Sequence, residues 1–232
     1  KFLLNYNFSQ KKKYRIKITK NNKSIKNEDL VFILSYTKIL PESFLKKNKL
    51  NLIVHASRLP KDRGFAPVQY QVLRGKNNID ISLLIASKNV DTGDIFLRQK
   101  FKLNKNDLSE EIREKQAKAT FDIIKKFLNQ YPNINSFKQK GRSTFNKRRY
   151  SDSNKLNVHK SLKSQFNILR ISDNEKYPAQ FKISNTNYIL KIYKKKLKIF
   201  FFNYLYNLSI PRIFFRRKIL LKKFFIRFYS HI

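Results

Sequence analysis

A chain of 232 residues with 41% apolar side chains can bury one sizeable α/β domain and a small appendage. The absence of cysteine excludes disulfides and thiolate metal sites, and three scattered histidines exclude a dedicated zinc site. A net charge of +37 would suggest a nucleic-acid binder, but residues 28–132 hold 19 Lys/Arg against 12 Asp/Glu, so most of the excess lies outside that segment. The richness in Lys, Asn, Ile, Phe and Tyr also matches the codon drift of an AT-rich genome. No apolar run approaches the length of a membrane span and no signal-peptide pattern is present, so a cytoplasmic location is expected. A chain that lacks methionine and begins with Lys1 reads as a fragment or a processed product.

Residues 1–27 are polar and basic, with one edge-like strand over Tyr14–Thr19, where Tyr14, Ile16 and Ile18 alternate with basic residues. Leu30 to Ser35 is a continuous apolar run of strand length, and Pro41-Glu-Ser-Phe-Leu45 opens a short helix with proline in its first turn. A buried strand over Leu50–Val54 ends in His55, where the chain turns through Ser57, Pro60 and Gly64. A helix begins near Pro67, carries Val68, Val72 and Leu73, and is stopped by Gly75. The strand Ile79–Ile85 follows, then a tight turn, Asp91-Thr-Gly-Asp94. Read as a βαβ unit, these two strands should be parallel, with His55 and Asp91 at adjacent carboxyl ends. The plain alternative is a satisfied strand-end histidine and an unrelated turn aspartate.

Asn106-Asp-Leu-Ser-Glu110 starts a long helix, with Asp107 as the cap and Glu110 completing a capping box. Ile112, Ala119, Ile123 and Phe127 form its core face, and it ends by Tyr131-Pro132. Residues 28–132 therefore make a core domain. Residues 133–140 read as a linker, and the segment to 194 as a small subdomain with strands at Gln180–Ile183 and Tyr188–Tyr193. Residues 195–232 interleave aromatic and basic residues with no acid. They read as a basic amphipathic helix on a membrane surface, a nucleic-acid stacking segment, or a random extension. On any of these readings they are expected to be dispensable for the core.

The run His55-Ala-Ser-Arg-Leu-Pro-Lys-Asp-Arg-Gly64, with Pro67, Leu73, Gly75 and then Val90-Asp-Thr-Gly-Asp-Ile95, resembles the core of the formyltransferases that use 10-formyltetrahydrofolate. That family includes the methionyl-tRNA enzyme and the sugar N-formyltransferases. The likeness extends to Phe32-Ile-Leu-Ser-Tyr-Thr-Lys-Ile-Leu-Pro41, Gly141-Arg-Ser-Thr-Phe-Asn-Lys-Arg-Arg149 and Lys176-Tyr-Pro-Ala-Gln-Phe181.

The resemblance implies a Rossmann-like α/β core with a mostly parallel sheet, followed by a small α+β appendage. It implies that His55 and Asp91 are catalytic. His55 would deprotonate the acceptor amine or stabilise the oxyanion, and Asp91 would fix its tautomer. Ser35, Tyr36, Ser57, Leu59, Gly64 and Gly93 would form the pocket for 10-formyltetrahydrofolate. Arg148, Arg149 and Arg170 would meet the phosphates of a nucleotide-linked amino sugar, or the partner subunit of a homodimer. No metal is required. The other reading, from a different class, is a non-catalytic basic protein that binds nucleic acid or the ribosome.

Two departures from the family pattern stand out. The family places an asparagine two residues before the histidine, and here that position is Ile53. Asn51 shares its face but lies about 13 Å from His55 at the rise of a strand, so Ser57 or a loop N–H is left as the donor. The site is then an altered one, a divergent branch or an inactive remnant. The family fold also opens with a buried strand for which no candidate exists here, so the edges of its neighbours are expected to be exposed.

Overall fold

The computed structural model describes residues 14–195 and 224–230. Its main sheet has six strands in the order β1-β10-β2-β3-β5-β6: β1 (Tyr14–Thr19), β2 (Leu30–Leu34), β3 (Leu50–His55), β5 (Asn78–Ile85), β6 (Ile95–Lys102) and β10 (Phe224–Ser230). Two short ribbons accompany it. One joins β4 (Arg63–Gly64) to β7 (Phe145–Asn146), and the other joins β8 (Ala179–Ile183) to β9 (Thr186–Leu190).

Every residue of β2 is buried, because the strand is covered on both faces. Leu30, Phe32 and Leu34 join Leu52, Ile79, Ile81 and Leu83 in the larger core. That core is closed by Val68 and Val72 of α2 (Pro67–Leu73) and by Ile112, Ala119, Ile123 and Phe127 of α3 (Ser109–Gln130). Val31 and Ile33 point the other way, into a smaller cluster with Ile25, Leu40 and Phe44 of α1 (Glu42–Leu45). His55 and Ile53 share that second face by the two-residue period of a strand. Phe127 anchors the larger core, with edge-on contacts to Phe32 and Phe96 at centroid distances of 5.9 and 5.0 Å.

Several expectations are corrected. The sheet is mixed, since β2 and β3 are parallel but β5 runs antiparallel to both β3 and β6. The connection through α2 is therefore not a parallel crossover. Residues 95–102 form β6, and Phe166–Ile171 form α4, where no element was expected. Asp107 does not cap α3. Its carboxylate accepts from the Asn104 N–H, and Glu111 rather than Glu110 accepts from the Leu108 N–H at the helix start.

The carboxy-terminal segment is the largest correction. β10 lies between β1 and β2, antiparallel to each, with Thr19 opposite Phe225 and Leu34 opposite Phe224. The strand edges expected to be exposed are thus paired, and a segment expected to be dispensable sits inside the sheet. An amphipathic helix through residues 224–230 does not fit with this strand, and residues 196–223 of the segment lie outside the described residues.

Two carboxylates, Asp107 buried and Asp173 half-buried, brace α3, and Asp173 ties the later segment to it. Asp107 accepts from Lys115 Nζ at 2.5 Å and from the Asn104 N–H at 2.7 Å. Asp173 accepts from Arg113 at 2.6 Å and from the Glu175 and Lys176 N–H groups at 3.0 Å. Burial alone would push both carboxyl groups up, but these donors outweigh it and hold both below the ordinary carboxylate value. A carboxyl with a depressed folded-state value contributes stability above its unfolded value, near about 3.9, and loses it as pH falls through the folded value. The melting temperature should therefore drop steeply below about pH 4, and more shallowly in Asp107→Asn. Equal slopes in a melting series from pH 6 to pH 2 would remove Asp107 from the account.

Candidate active site

The parallel pair β2 and β3 sets the place of the site. Ile33 lies opposite Ile53, so continuing the register brings Ser35 level with His55 at the carboxyl ends of both strands. From the other side, the chain leaving β5 doubles back. The Ile85 N–H donates to the Asp94 carbonyl, and Gly93 passes so close over Ile85 that a β-carbon there would stand 1.9 Å from the Ile85 carbonyl oxygen. Only glycine permits that return. It delivers Asp91, at φ 54°, to His55.

The two side chains meet, with His55 Nδ1 3.4 Å from Asp91 Oδ2 and each side chain 8% exposed. They lie within direct reach of each other as expected, although the strands that carry them are antiparallel rather than parallel. The fold-back of residues 86–94 does what strand polarity was expected to do.

The loop after β3 holds both members. His55 Nε2 lies 2.7 Å from the Asp62 carbonyl oxygen, and the Gly64 N–H donates to Asp91 Oδ2 at 2.9 Å. Gly64 stands at φ 89°, and a β-carbon there would meet the Asn146 carbonyl and the Phe145 ring. Gln139, in the stretch read as a linker, donates to the carbonyls of Asp91 and Gly93 at 2.8 Å each and accepts from Arg63 at 2.7 Å. Residues 133–140 are thus part of the site's support. Arg63 belongs to the family-like run, but Gln139 and Asp62 were given no role in the sequence, where nothing sets one glutamine or one loop aspartate apart from others.

The remaining expected residues divide. Leu59 is buried against Leu84 and Ile95, and Tyr36 is half-buried against the Val31 cluster. Ser35 is exposed at φ 51°. Ser57 is fully buried, its hydroxyl donating to the Lys61 carbonyl and its N–H to the His55 carbonyl. It is not free to replace the missing amide, and the Gly64 N–H is already held by Asp91. Asn51 donates to the Leu45 carbonyl, far from the pair. Ile53 packs against Leu59, Leu84 and Ile95, so an apolar contact stands where the family pattern has an amide.

Arg148 and Arg149 lie over the rings of Phe65 and Tyr70, at 5.7 and 5.6 Å, on the side of the β4–β7 ribbon. Arg170 does not face a substrate. It is 2% exposed, and its guanidinium donates to the carbonyls of Asp107 and Asn104 and to Asn167 Oδ1.

The pair itself is covered. Two cavities of about 370 and 380 Å³ lie elsewhere, one between β6 and α3 and the other beside Phe166 and Tyr193. Among the described residues no cluster of His, Cys, Asp and Glu could hold a metal ion, and no helix is long and apolar enough to cross a membrane.

An imidazole at a strand end with a carboxylate at its side, inside this mixed α/β sheet, is an arrangement chemically able to take up and return a proton. The profile of the family described as formyl transferase matches residues 1–128 of this chain. The chain belongs to that family.

Methionyl-tRNA formyltransferase of Thermodesulfovibrio yellowstonii is 30% identical over 147 residues, which cover 62% of this chain and 48% of that protein. The chain spans about half the length of the curated relatives it matches. Two solved structures share the fold. A sugar N-formyltransferase from Shewanella sp. is 18% identical with a TM-score of 0.58, over 73% of this chain and 71% of the other. HypX from Aquifex aeolicus, solved in complex with tetrahydrofolic acid, is 19% identical with a TM-score of 0.56, over 71% of this chain and 29% of the other.

Proposed function

We propose that this protein transfers a formyl group from 10-formyltetrahydrofolate to a primary amine. The observation that carries the reading is the contact between His55 and Asp91, covered by a loop of family-like sequence. Transfer requires an amine to lose a proton as it attacks the formyl carbon, and a buried imidazole beside a carboxylate is suited to take it. The folate would lie over the carboxyl ends of β2 and β3, against Ser35, Tyr36 and the backbone around Gly64 and Gly93. Tetrahydrofolic acid bound to HypX supports the choice of donor.

Two acceptors are in play. A nucleotide-linked amino sugar is favoured by the Shewanella neighbour and by Arg148 and Arg149, which are placed on aromatic rings beside the loop that holds the pair. Methionyl-tRNA is favoured by the name of the Thermodesulfovibrio relative and by the charge of +37. Supplying each acceptor with 10-formyltetrahydrofolate and following formylated product by mass spectrometry separates them. Product from neither acceptor, together with no retention of folate, would overturn the reading.

Ile53→Asn belongs in the same assay. Its amide enters an apolar contact with Leu59, Leu84 and Ile95, so stability should fall by about 1–3 kcal/mol. If the missing amide limits the reaction, turnover should nonetheless rise above the parent. An unchanged or lower rate would show that Ile53 is not the limiting departure.

A further inference from the structure

We infer that the Asp62 peptide carbonyl, clamped by Arg74 and Thr144, fixes the tautomer of His55, so that Nδ1, the nitrogen beside Asp91, receives the proton. The inference rests on the formyl-transfer reading for its chemistry, but its first test does not depend on turnover. A carbonyl oxygen can only accept a hydrogen bond. At 2.7 Å from the Asp62 oxygen, His55 Nε2 must therefore carry the hydrogen. The neutral ring is then the Nε2–H tautomer, and Nδ1, 3.4 Å from Asp91 Oδ2, holds the lone pair. Asp91 does not set this tautomer, as the sequence reading expected. A carboxylate facing that lone pair gives no attraction until Nδ1 is protonated, and then it stabilises the imidazolium.

The residue that carries this carbonyl is held by two contacts. Asp62 stands at φ 60°, in the left-handed region. Its carboxylate pairs with Arg74, just past the end of α2, at 2.6 Å, and its N–H donates to Thr144 Oγ1 at 2.8 Å. The Gly64 N–H, two residues on, holds Asp91 Oδ2. One short loop thus fixes the proton on one side of the ring and the carboxylate on the other. Arg74 and Thr144 touch neither ring nor carboxylate of the pair and act only through Asp62, so they are positioning residues.

The proton balance follows. The amine nitrogen bonds to the formyl carbon, and the proton it sheds goes to the His55–Asp91 pair, on Nδ1. Both N–H groups of the imidazolium then point at oxygen acceptors. When the bond from carbon to N10 breaks, the imidazolium returns the proton to N10, giving tetrahydrofolate and the formamide.

The test is nitrogen-15 NMR of the imidazoles in the full chain, recorded across a pH series up to alkaline pH. The His55 signals are assigned by their loss in His55→Ala. The parent should show the Nε2–H tautomer. Arg74→Met and Thr144→Val should each give a mixture of tautomers, with kcat lowered roughly 10- to 100-fold and KM for the folate unchanged, since a small misplacement of a reacting group costs that much. Arg74→Lys, which keeps the charge, should recover part of both. An Nδ1–H tautomer in the parent would overturn the inference, and so would variants whose tautomer matches the parent's. If the parent shows the Nε2–H tautomer and the variants do not, yet no acceptor is formylated, the assignment stands and the formyl-transfer reading fails.

Discussion

Replacing His55 by alanine is expected to lower formyl transfer by about 10²- to 10⁴-fold, the usual contribution of a positioned acid–base group. The loss should fall on kcat, because the proposed folate contacts at Ser35, Tyr36 and the backbone near Gly64 and Gly93 do not involve the ring. Asp91→Asn should come close to the same loss for a different reason. The asparagine can still accept the Gly64 N–H, but it no longer offers a charge to an imidazolium at Nδ1. His55→Ala also leaves the buried Asp62 carbonyl without its partner, which should cost about 1–3 kcal/mol of stability. Turnover measured beside thermal melting separates the two effects. A His55→Ala protein with parental turnover would remove the pair from the reaction.

What could be read from the sequence, and what could not, follows from how each element is covered. β2 reads as a strand because both of its faces are buried and every position is apolar. The core stripe of α3 reads from its 3.6-residue period, and Ile112, Ala119, Ile123 and Phe127 are all buried as expected. β6 has no such signature. Apart from a bridge at Ile95, among the described residues it pairs on one side only, and Arg98, Gln99, Lys100 and Lys102 interrupt its apolar positions. A basic edge strand looks like solvated chain until its partner is known.

The candidate pair was legible because histidine and glycine are rare in this chain and their spacing matched a family pattern. Its support was not. Asp62, Arg74, Gln139 and Thr144 act through contacts spanning 12 to 82 residues, and local sequence carries no trace of such pairings. The polarity of β5 was misread for a related reason. A helix between two strands usually implies a parallel crossover. Here α2 is only seven residues long, Gly75 ends it, and the chain re-enters the sheet in the opposite direction.

Removing residues 196–232 is expected to destabilise the protein severely. β10 pairs with β1 through six residues and with β2 through five, and among the described residues β1 has no other partner in the main sheet. Without β10, β1 is detached and the backbone edge of β2, whose side chains are wholly buried, opens to solvent. An open apolar edge of that kind is a template for aggregation, so the shortened chain should melt at least about 10 °C lower or fail to remain soluble. Ile226→Pro is the milder form of the same test. It keeps the tail's charge and length, removes a backbone donor from an interior strand and leaves a buried acceptor unpaired, which should cost about 1–3 kcal/mol. If the tail acted only as a basic surface segment, truncation would shift salt-dependent binding and leave the melting temperature within about 2 °C, whereas a strand inside the sheet must move it by several degrees. Parental melting in both variants would place residues 224–230 outside the sheet.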